Sequence, residues 1–423
     1  MIYYLPDSQD LVDPSFDFER EDRASHRMRH RDDVYAHQVF ARRAYDGMLI
    51  SKGIVEGFGK NSGRYTLSQR MRFLRQGAKA FCRTETCAWG SLPIMGDCGA
   101  FTYVQEEVPP YTVDEVVSFY LEGQFDLGIS VDHVILDFQP SWDEVDTLGK
   151  QEAQRRQAIT LDLAKSFLNR VKREGAPFEP LGVAQGWSPK SYAAAVKALQ
   201  AMGYTYIALG GMVPLKTHEI LACLHEIDCV RKPSTRLHLL GVTRLEEVLT
   251  FERLGVVSFD STSPLLKAFK DDRENYFTLD GAFPAIRIPQ VDGNAKLKAG
   301  ILSGRISQDK ALSLERASLA AMKALDAGRC SPDAALEPIL AYHELCGGTT
   351  KQVSAYKRIL ESQPWKGCPC EVCRQLGHHV MLFRGAERNR RRGFHNIWMF
   401  YQRLHRNLTR SEPSQSLFAE ARP

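Results

Sequence analysis

The stretch LGVAQGWSPKSYAAAVKALQAMGYTYIALGG, residues 181–211, decides the fold. Two short apolar runs, Leu181–Ala184 and Tyr206–Leu209, flank an alanine-rich segment that opens at Ser188-Pro189. Runs of four apolar residues are of strand length, while serine followed by proline marks a helix start. Strand, helix and strand in that order form a β/α unit whose strands run parallel. Working outward, further strand candidates are Ile2–Leu5, Met48–Ser51, Leu92–Gly96, Gly128–Val131, His238–Gly241 and Val256–Phe259. Helical stretches fall between them at Thr66–Ala80, Val113–Gly123, Lys150–Glu174, Ser188–Ala201, Leu215–Glu226 and Leu245–Leu254. Eight strands alternating with helices predict an α/β fold, a (β/α)8 TIM barrel.

The barrel would occupy residues 1–300 as the catalytic domain. A helical insertion follows over 301–362, its alanine-rich periodic part at 305–345. Residues 363–410 form a zinc-binding, arginine-rich segment, and 411–423 a flexible tail. Residues 16–35, charged in both signs, predict a surface helix or an ordered loop. No internal repeat is present.

With 423 residues and 43% of them hydrophobic, the chain can bury a large core. No apolar run is as long as a membrane span, and the N-terminus lacks the pattern of a signal peptide. Ten cysteines in this length are too sparse for a disulfide scaffold. They predict a cytoplasmic, reduced protein. Net charge of +4 says little about partners. Locally, eight arginines and one acid, Glu387, lie between Arg384 and Arg410. Such runs are most often solvated faces. Inside a metal-anchored loop they become candidates for nucleic-acid backbone contact, at Arg388, Arg390, Arg391 and Arg392.

Cys368-Pro-Cys370-Glu-Val-Cys373 offers three thiolates within six residues. With one imidazole they complete the four ligands of a closed, structural Zn²⁺ site. His378, His379 and His395 compete for the fourth place.

In a barrel, catalytic groups stand just past the C-terminal strand ends. Those positions hold Asp97-Cys98-Gly99-Ala100-Phe101, Asp132, Gln185-Gly186, Gly210-Gly211 and Asp260-Ser261-Thr262-Ser263-Pro264. A single aspartate there is more often a helix N-cap. Three at one mouth repel one another and need a task. A metal-dependent hydrolase would want histidines at strand ends, whereas His133 stands alone and His238 begins a strand. Carboxylate chemistry is therefore expected, with one nucleophile, one acid/base and one substrate-binding group. The glycine pair lets backbone approach a flat ligand, and Phe101 could stack on it.

These motifs, in this order, resemble the queuine/tRNA-guanine transglycosylase family, zinc-bearing (β/α)8 barrels that swap guanine for a 7-deazaguanine base. Asp97–Phe101 is similar to that family's Asp-Ser-Gly-Gly-Tyr. Asp132 matches its base-recognising aspartate, Ala184-Gln185-Gly186 its Val-Gln-Gly, and Leu209-Gly210-Gly211 its Leu-Gly-Gly. Phe259-Asp260 matches the nucleophile motif, and the cysteine cluster with His395-Asn-Ile-Trp matches the zinc site. The resemblance spans about residues 45–300 and 365–405. It implies Asp260 as nucleophile and Asp97 as general acid/base. Phe101, Asp132, Gln185, Gly210, Gly211 and Met212 would hold the base, and Cys368, Cys370, Cys373 and His395 the zinc.

The departures point to the DNA-modifying branch. Ser-Thr-Ser-Pro-Leu-Leu follows Asp260 where tRNA enzymes have Cys-x-x-Pro-Thr-Arg, and Cys98 and Ala100 replace smaller residues. Lys216 stands where bacterial tRNA enzymes place a glutamate for an aminomethyl base, so a neutral nitrile base, preQ0, is expected. That branch acts on DNA within bacterial modification and restriction systems and is associated with a ParB-like ATPase; a homodimer is also expected. Two other readings are a tRNA-guanine transglycosylase and a non-catalytic zinc-bearing nucleic-acid binder. Retention of Asp97, Asp132 and Asp260 speaks against the second.

Overall fold

The computed structural model describes residues 1–59, 61–270, 273–349 and 352–409. The tail expected at 411–423 lies outside the described residues. Eight parallel strands close into a barrel: β1 (Ile2–Pro6), β2 (Gly47–Ser51), β3 (Ile94–Asp97), β4 (Leu127–Ile129), β5 (Glu179–Ala184), β6 (Tyr206–Leu209), β7 (Arg236–Leu239) and β8 (Val256–Asp260). Each pairs with its sequence neighbour, and β8 returns to β1 with Phe259 opposite Tyr3 and Asp260 opposite Tyr4. Strands buried on both faces read as continuous apolar runs, which is why the sequence marks all eight. Inside, Tyr4, Leu49, Met95, Ile129, Val183, Tyr206 and Ala208 pack as a solid core.

The outer helices include α1 (Leu67–Gln76), α2 (Val113–Glu122), α3 (Leu148–Glu174), α4 (Pro189–Met202), α5 (Thr217–Asp228) and α6 (Val248–Arg253). Side-chain caps start several of them. Ser188 Oγ accepts the Ser191 N–H at 3.1 Å, and Thr112 Oγ1 accepts that of Glu115 at 3.2 Å. The helix expected over 66–80 breaks at Gly77, whose φ of +79° no helix can continue. Residues 16–35 form an ordered loop of turns, not a helix.

After β8 come α7 (Ser263–Lys270), then the insertion with α8 (Gln308–Asp326), α9 (Pro332–Leu345) and α10 (Val353–Ser362). The C-terminal segment holds α11 (Glu371–Leu376) and the long α12 (Gly385–Thr409), which packs on α7. A short parallel pair, Ile286–Arg287 with Leu382–Phe383, joins this segment to the chain leaving the barrel. Among the described residues no helix is long and apolar enough to cross a membrane.

The arginine run of α12 is placed differently from expectation. Arg388, Arg391 and Arg392 are buried, and Arg390 is half-buried. Arg388 donates to Glu21 and to the Phe18 carbonyl, and Arg391 to the Asp13 carbonyl. Arg384 bridges Glu21 and Glu315 at 2.6 Å each. These side chains fasten the helix to the N-terminal loop and are not free for a phosphate backbone. The reason is long-range: Glu21, which pairs with both Arg384 and Arg388, sits more than 300 residues earlier in the chain.

Among the described residues Arg392 has no carboxylate partner. It donates to the carbonyls of Val380, Leu382 and Ala268 at 2.9–3.1 Å, and burial pushes its pKa down to about 9. Replacing it with methionine strands those carbonyls, so Arg392→Met should cost about 3 kcal/mol or more of stability in urea unfolding. Arg390→Ala should change stability by less than about 1 kcal/mol. Equal stability of the two variants would show that α12 is not fastened this way.

Candidate active site

Each site residue is placed by a strand end. β3 delivers Asp97 beside Ser51 of β2, and the chain then turns through Gly99. Gly99 has a φ of +87°, and a Cβ there would stand 2.5 Å from Ser51 Oγ, so no other residue fits. The turn brings the Gly99 N–H back to Asp97 Oδ2 at 3.0 Å. It also sets Phe101 on the rim with 54% of its surface exposed.

Asp132, past β4, is buried and held from three sides. Gln185 Nε2 donates to its Oδ2 at 2.7 Å, and Cys98 Sγ lies 3.3 Å from its Oδ1. Tyr103 donates to its carbonyl at 3.1 Å. Gln185 Oε1 in turn accepts the Ile135 N–H at 3.2 Å. Gly210 explains itself here, since a Cβ would stand 2.2 Å from Gln185 Nε2. The glycine pair therefore seats the glutamine amide as well as bordering the cavity.

β8 ends at Asp260, whose Oδ1 accepts from Gly241 N–H at 3.0 Å and from His238 Nε2 at 3.2 Å. A cavity of about 310 Å³ brings together Asp97, Phe101, Asp132, Gln185, Gly210, Gly211 and Asp260. Met212 is fully buried and does not line it. Lys216 is exposed at the start of α5, also outside the cavity lining, so it does not face a bound base.

Sequence reasoning passed over Asp7 and placed His238 at the start of its strand. Asp7 follows β1, lines the same cavity and accepts from Tyr65 at 2.8 Å. His238 belongs to the middle of β7, because the strand starts two residues earlier than its apolar run, at Arg236. Period-two alternation from Arg236 would have turned it inward.

Crowded carboxylates in a buried mouth hold their protons. Burial, reinforced by the charges of Asp132 and Asp260, raises Asp97 to about 7. Burial raises Asp132 to about 6 against the hydrogen bonds from Cys98 and Gln185. Asp7 is likewise pushed up to about 6. A carboxylic acid poised near neutrality can both give and take a proton.

A second group lies in the C-terminal segment. Cys368, Cys370, Cys373 and His395 are buried with their ligand atoms within 4.8 Å of one another, and could hold a metal ion. His395 Nδ1 faces the three sulfurs at 3.6, 3.4 and 3.3 Å, while its Nε2 donates to the Phe277 carbonyl at 2.8 Å. That bond fixes the tautomer a ligand needs. Tyr276 stacks on the imidazole at 4.1 Å. His378 pairs with Asp326 and His379 with Glu19, and of the three histidines it is His395 that stands with the cysteines.

A closed barrel with an acidic mouth and an outlying Cys3His group carries its motifs in the order of a guanine transglycosylase. No protein-family model matches the chain. Over 415 residues it is 49% identical to a DNA-guanine transglycosylase of Salmonella montevideo, covering 97% of this chain and 98% of that one. The chain belongs to the DNA-guanine transglycosylase family.

The raised carboxylates have a consequence for stability. Asp97 titrates near 3.8 when unfolded and at about 7 when folded. Between these values the folded state binds the extra proton, so stability falls as pH rises through that window. Asp97→Asn should therefore be more stable than wild type, by about 1–3 kcal/mol at pH 8 once its opening to solvent is allowed for, and by less at pH 5. Urea midpoints at the two pH values check this; a gain that does not grow with pH would refute the charge conflict.

Proposed function

We propose that this enzyme exchanges guanine in DNA for the 7-deazaguanine base preQ0, through a covalent aspartyl-deoxyribose intermediate, within a bacterial modification and restriction system. The observation that carries the reading is one cavity holding Asp260, Asp97 and the Asp132–Gln185 pair. A target deoxyguanosine must first leave the duplex, at a cost of a few kcal/mol. The Asp260 carboxylate attacks C1′ as the C1′–N9 bond breaks, and Asp97 supplies the proton that guanine N9 takes away. PreQ0 then enters, returns its N9 proton to Asp97, and N9 bonds to C1′ as the aspartyl ester opens. Asp132, Gln185 and the Gly210-Gly211 backbone read the guanine-like edge, and Phe101 on the rim stacks above it. A pKa of about 7 suits a group that alternates between acid and base.

The loop after the glycine pair brings no carboxylate to the cavity, which supports a base with an uncharged substituent. The name of the Salmonella relative supports DNA over tRNA. Cys368, Cys370, Cys373 and His395 would hold Zn²⁺. Sulfur and nitrogen ligands around a tetrahedral zinc stand about 3.5 Å apart, close to the spacing of the cluster. All four positions are protein, so the ion would fasten α12 and take no part in the exchange. A ParB-like ATPase partner and a homodimer belong to the same reading.

The phosphate contact moves from α12 to the mouth. Arg64 is exposed, lines the cavity and donates to the Ser8 carbonyl at 3.0 Å. Arg64→Ala should weaken DNA binding across sequences and lower the slope of log K against log salt by about 1. An unchanged slope would remove Arg64 from the interface.

The exchange itself is tested with labelled preQ0 or guanine offered alongside duplex DNA and tRNA. Label should enter DNA and not tRNA. Asp260→Ala should abolish exchange, and with it the denaturation-resistant protein–DNA adduct, while keeping wild-type melting and zinc content. Normal exchange by that variant would sink the mechanism, and label in tRNA alone would favour the tRNA enzyme.

A further inference from the structure

His238 has no part in the steps above, yet it touches the nucleophile. Its imidazole is fully buried inside the barrel, with Nε2 3.2 Å from Asp260 Oδ1 and Nδ1 2.6 Å from Ser258 Oγ. Ser258 Oγ is bonded in turn to the Tyr206 hydroxyl. A carboxylate only accepts, so Nε2 carries the hydrogen. A neutral imidazole then offers Nδ1 as acceptor, which makes Ser258 the donor to it and Tyr206 the donor to Ser258. The direction of every bond in the column follows.

The column spans the barrel. Tyr206 opens β6 at the N-terminal rim, beneath the Arg236 guanidinium 4.3 Å from its ring, and Arg236 pairs with Glu179 there. Asp260 closes β8 at the mouth. Around the column the interior is mostly apolar, with Leu49, Met95, Ile129 and Val183. Most buried histidines are simply satisfied core groups. This one ends on the reacting carboxylate, and its bond falls on the oxygen that also takes the Gly241 N–H. Among the described residues no hydrogen bond reaches Oδ2.

We infer that His238, held as its Nε2–H tautomer by Ser258 and Tyr206, is a positioning residue that pins Oδ1 of Asp260 and leaves Oδ2 to bond C1′. The inference rests on the base-exchange reading of Asp260. Once Oδ2 is esterified, Oδ1 becomes the ester carbonyl and keeps the same two donors. When N9 of the incoming base attacks C1′, the C1′–Oδ2 bond breaks and its electron pair returns to a carboxylate those donors stabilise. No proton moves through His238 in either step.

The test uses the full chain, duplex DNA and labelled guanine. His238→Phe should lower kcat about 100-fold with KM for the free base unchanged, because that base is held by Asp132 and Gln185. His238→Gln, whose amide N–H can reach the same oxygen, should recover about tenfold of that loss, a rescue that packing alone does not produce. Ser258→Ala frees Nδ1 without touching Asp260 and should lower kcat about 3–10-fold at constant KM. Wild-type kcat in His238→Phe, or no recovery in a folded His238→Gln, overturns the inference. If His238→Phe does not fold, Ser258→Ala decides, and an unchanged kcat overturns it. Asp260→Ala run in parallel separates the two failures: exchange by that variant defeats the base-exchange reading, whereas its inactivity beside a fully active His238→Phe defeats only the role of His238.

Discussion

Closure of the parallel barrel is the constraint on which the site depends. With β8 bonded back to β1, every strand has a neighbour on both sides and every C-terminal end opens on one rim. Residues following different strands are then driven together whatever their charge. Asp7 after β1, Asp97 ending β3, Asp132 after β4 and Asp260 ending β8 share one cavity as a result. An open sheet could splay to relieve four carboxylates; a closed and filled barrel cannot. The repulsion is instead absorbed as retained protons.

A second fastening keeps the loop that carries Asp7 in place. Arg384 and Arg388 of the C-terminal segment close on Glu21, and although burial pushes that carboxyl up, the two guanidinium groups hold it down at about 2. Glu387 accepts from the Asp13 N–H at 3.1 Å and pairs with Arg23. The same helix presents His395 to the three cysteines. Breaking one partner out of a buried ion pair costs about 3–5 kcal/mol, so these contacts act as a clamp between the chain's two ends. The arginines thus hold α12 to the N-terminal loop, while the Cys3His group ties the same helix to the segment 368–373.

What could be read from the sequence followed the range of the interactions involved. All eight strands were found within two residues of their ends, because a strand buried on both faces announces itself locally. Asp97, Asp132, Gln185, Gly210 and Asp260 could be marked as mouth residues because each ends such a strand or lies within three residues of its end. His238 was misread since Arg236, a polar first residue stacked on Tyr206, hid the true strand start. Asp7 was passed over behind Pro6. The arginine run misled for a different reason: local charge counting shows Arg384–Arg392 but not Glu21 or Asp13, which reach them only in the folded chain. The pairing of Ile286 with Leu382 and the break at Gly77 were equally invisible to pattern.

The four carboxylates of the mouth differ in what hydrogen bonds to them, and in the proposed exchange this would set their division of labour. Asp97 is raised to near neutrality by burial and by the two acids beside it, against one backbone N–H. Asp132 receives an amide and a thiol, Asp7 a phenol and the Gln9 N–H, and both are raised less. Asp260 alone takes two N–H donors on one oxygen, from Gly241 and from His238. Donors to a carboxylate favour its ionised form, and it is Asp97, buried beside Asp132 and Asp260, that is raised to about 7. A nucleophile must be ionised and an acid protonated in the same small volume. In the exchange proposed above, the polar column through an otherwise apolar barrel would serve the first demand, since it ends in one of the two donors on Asp260.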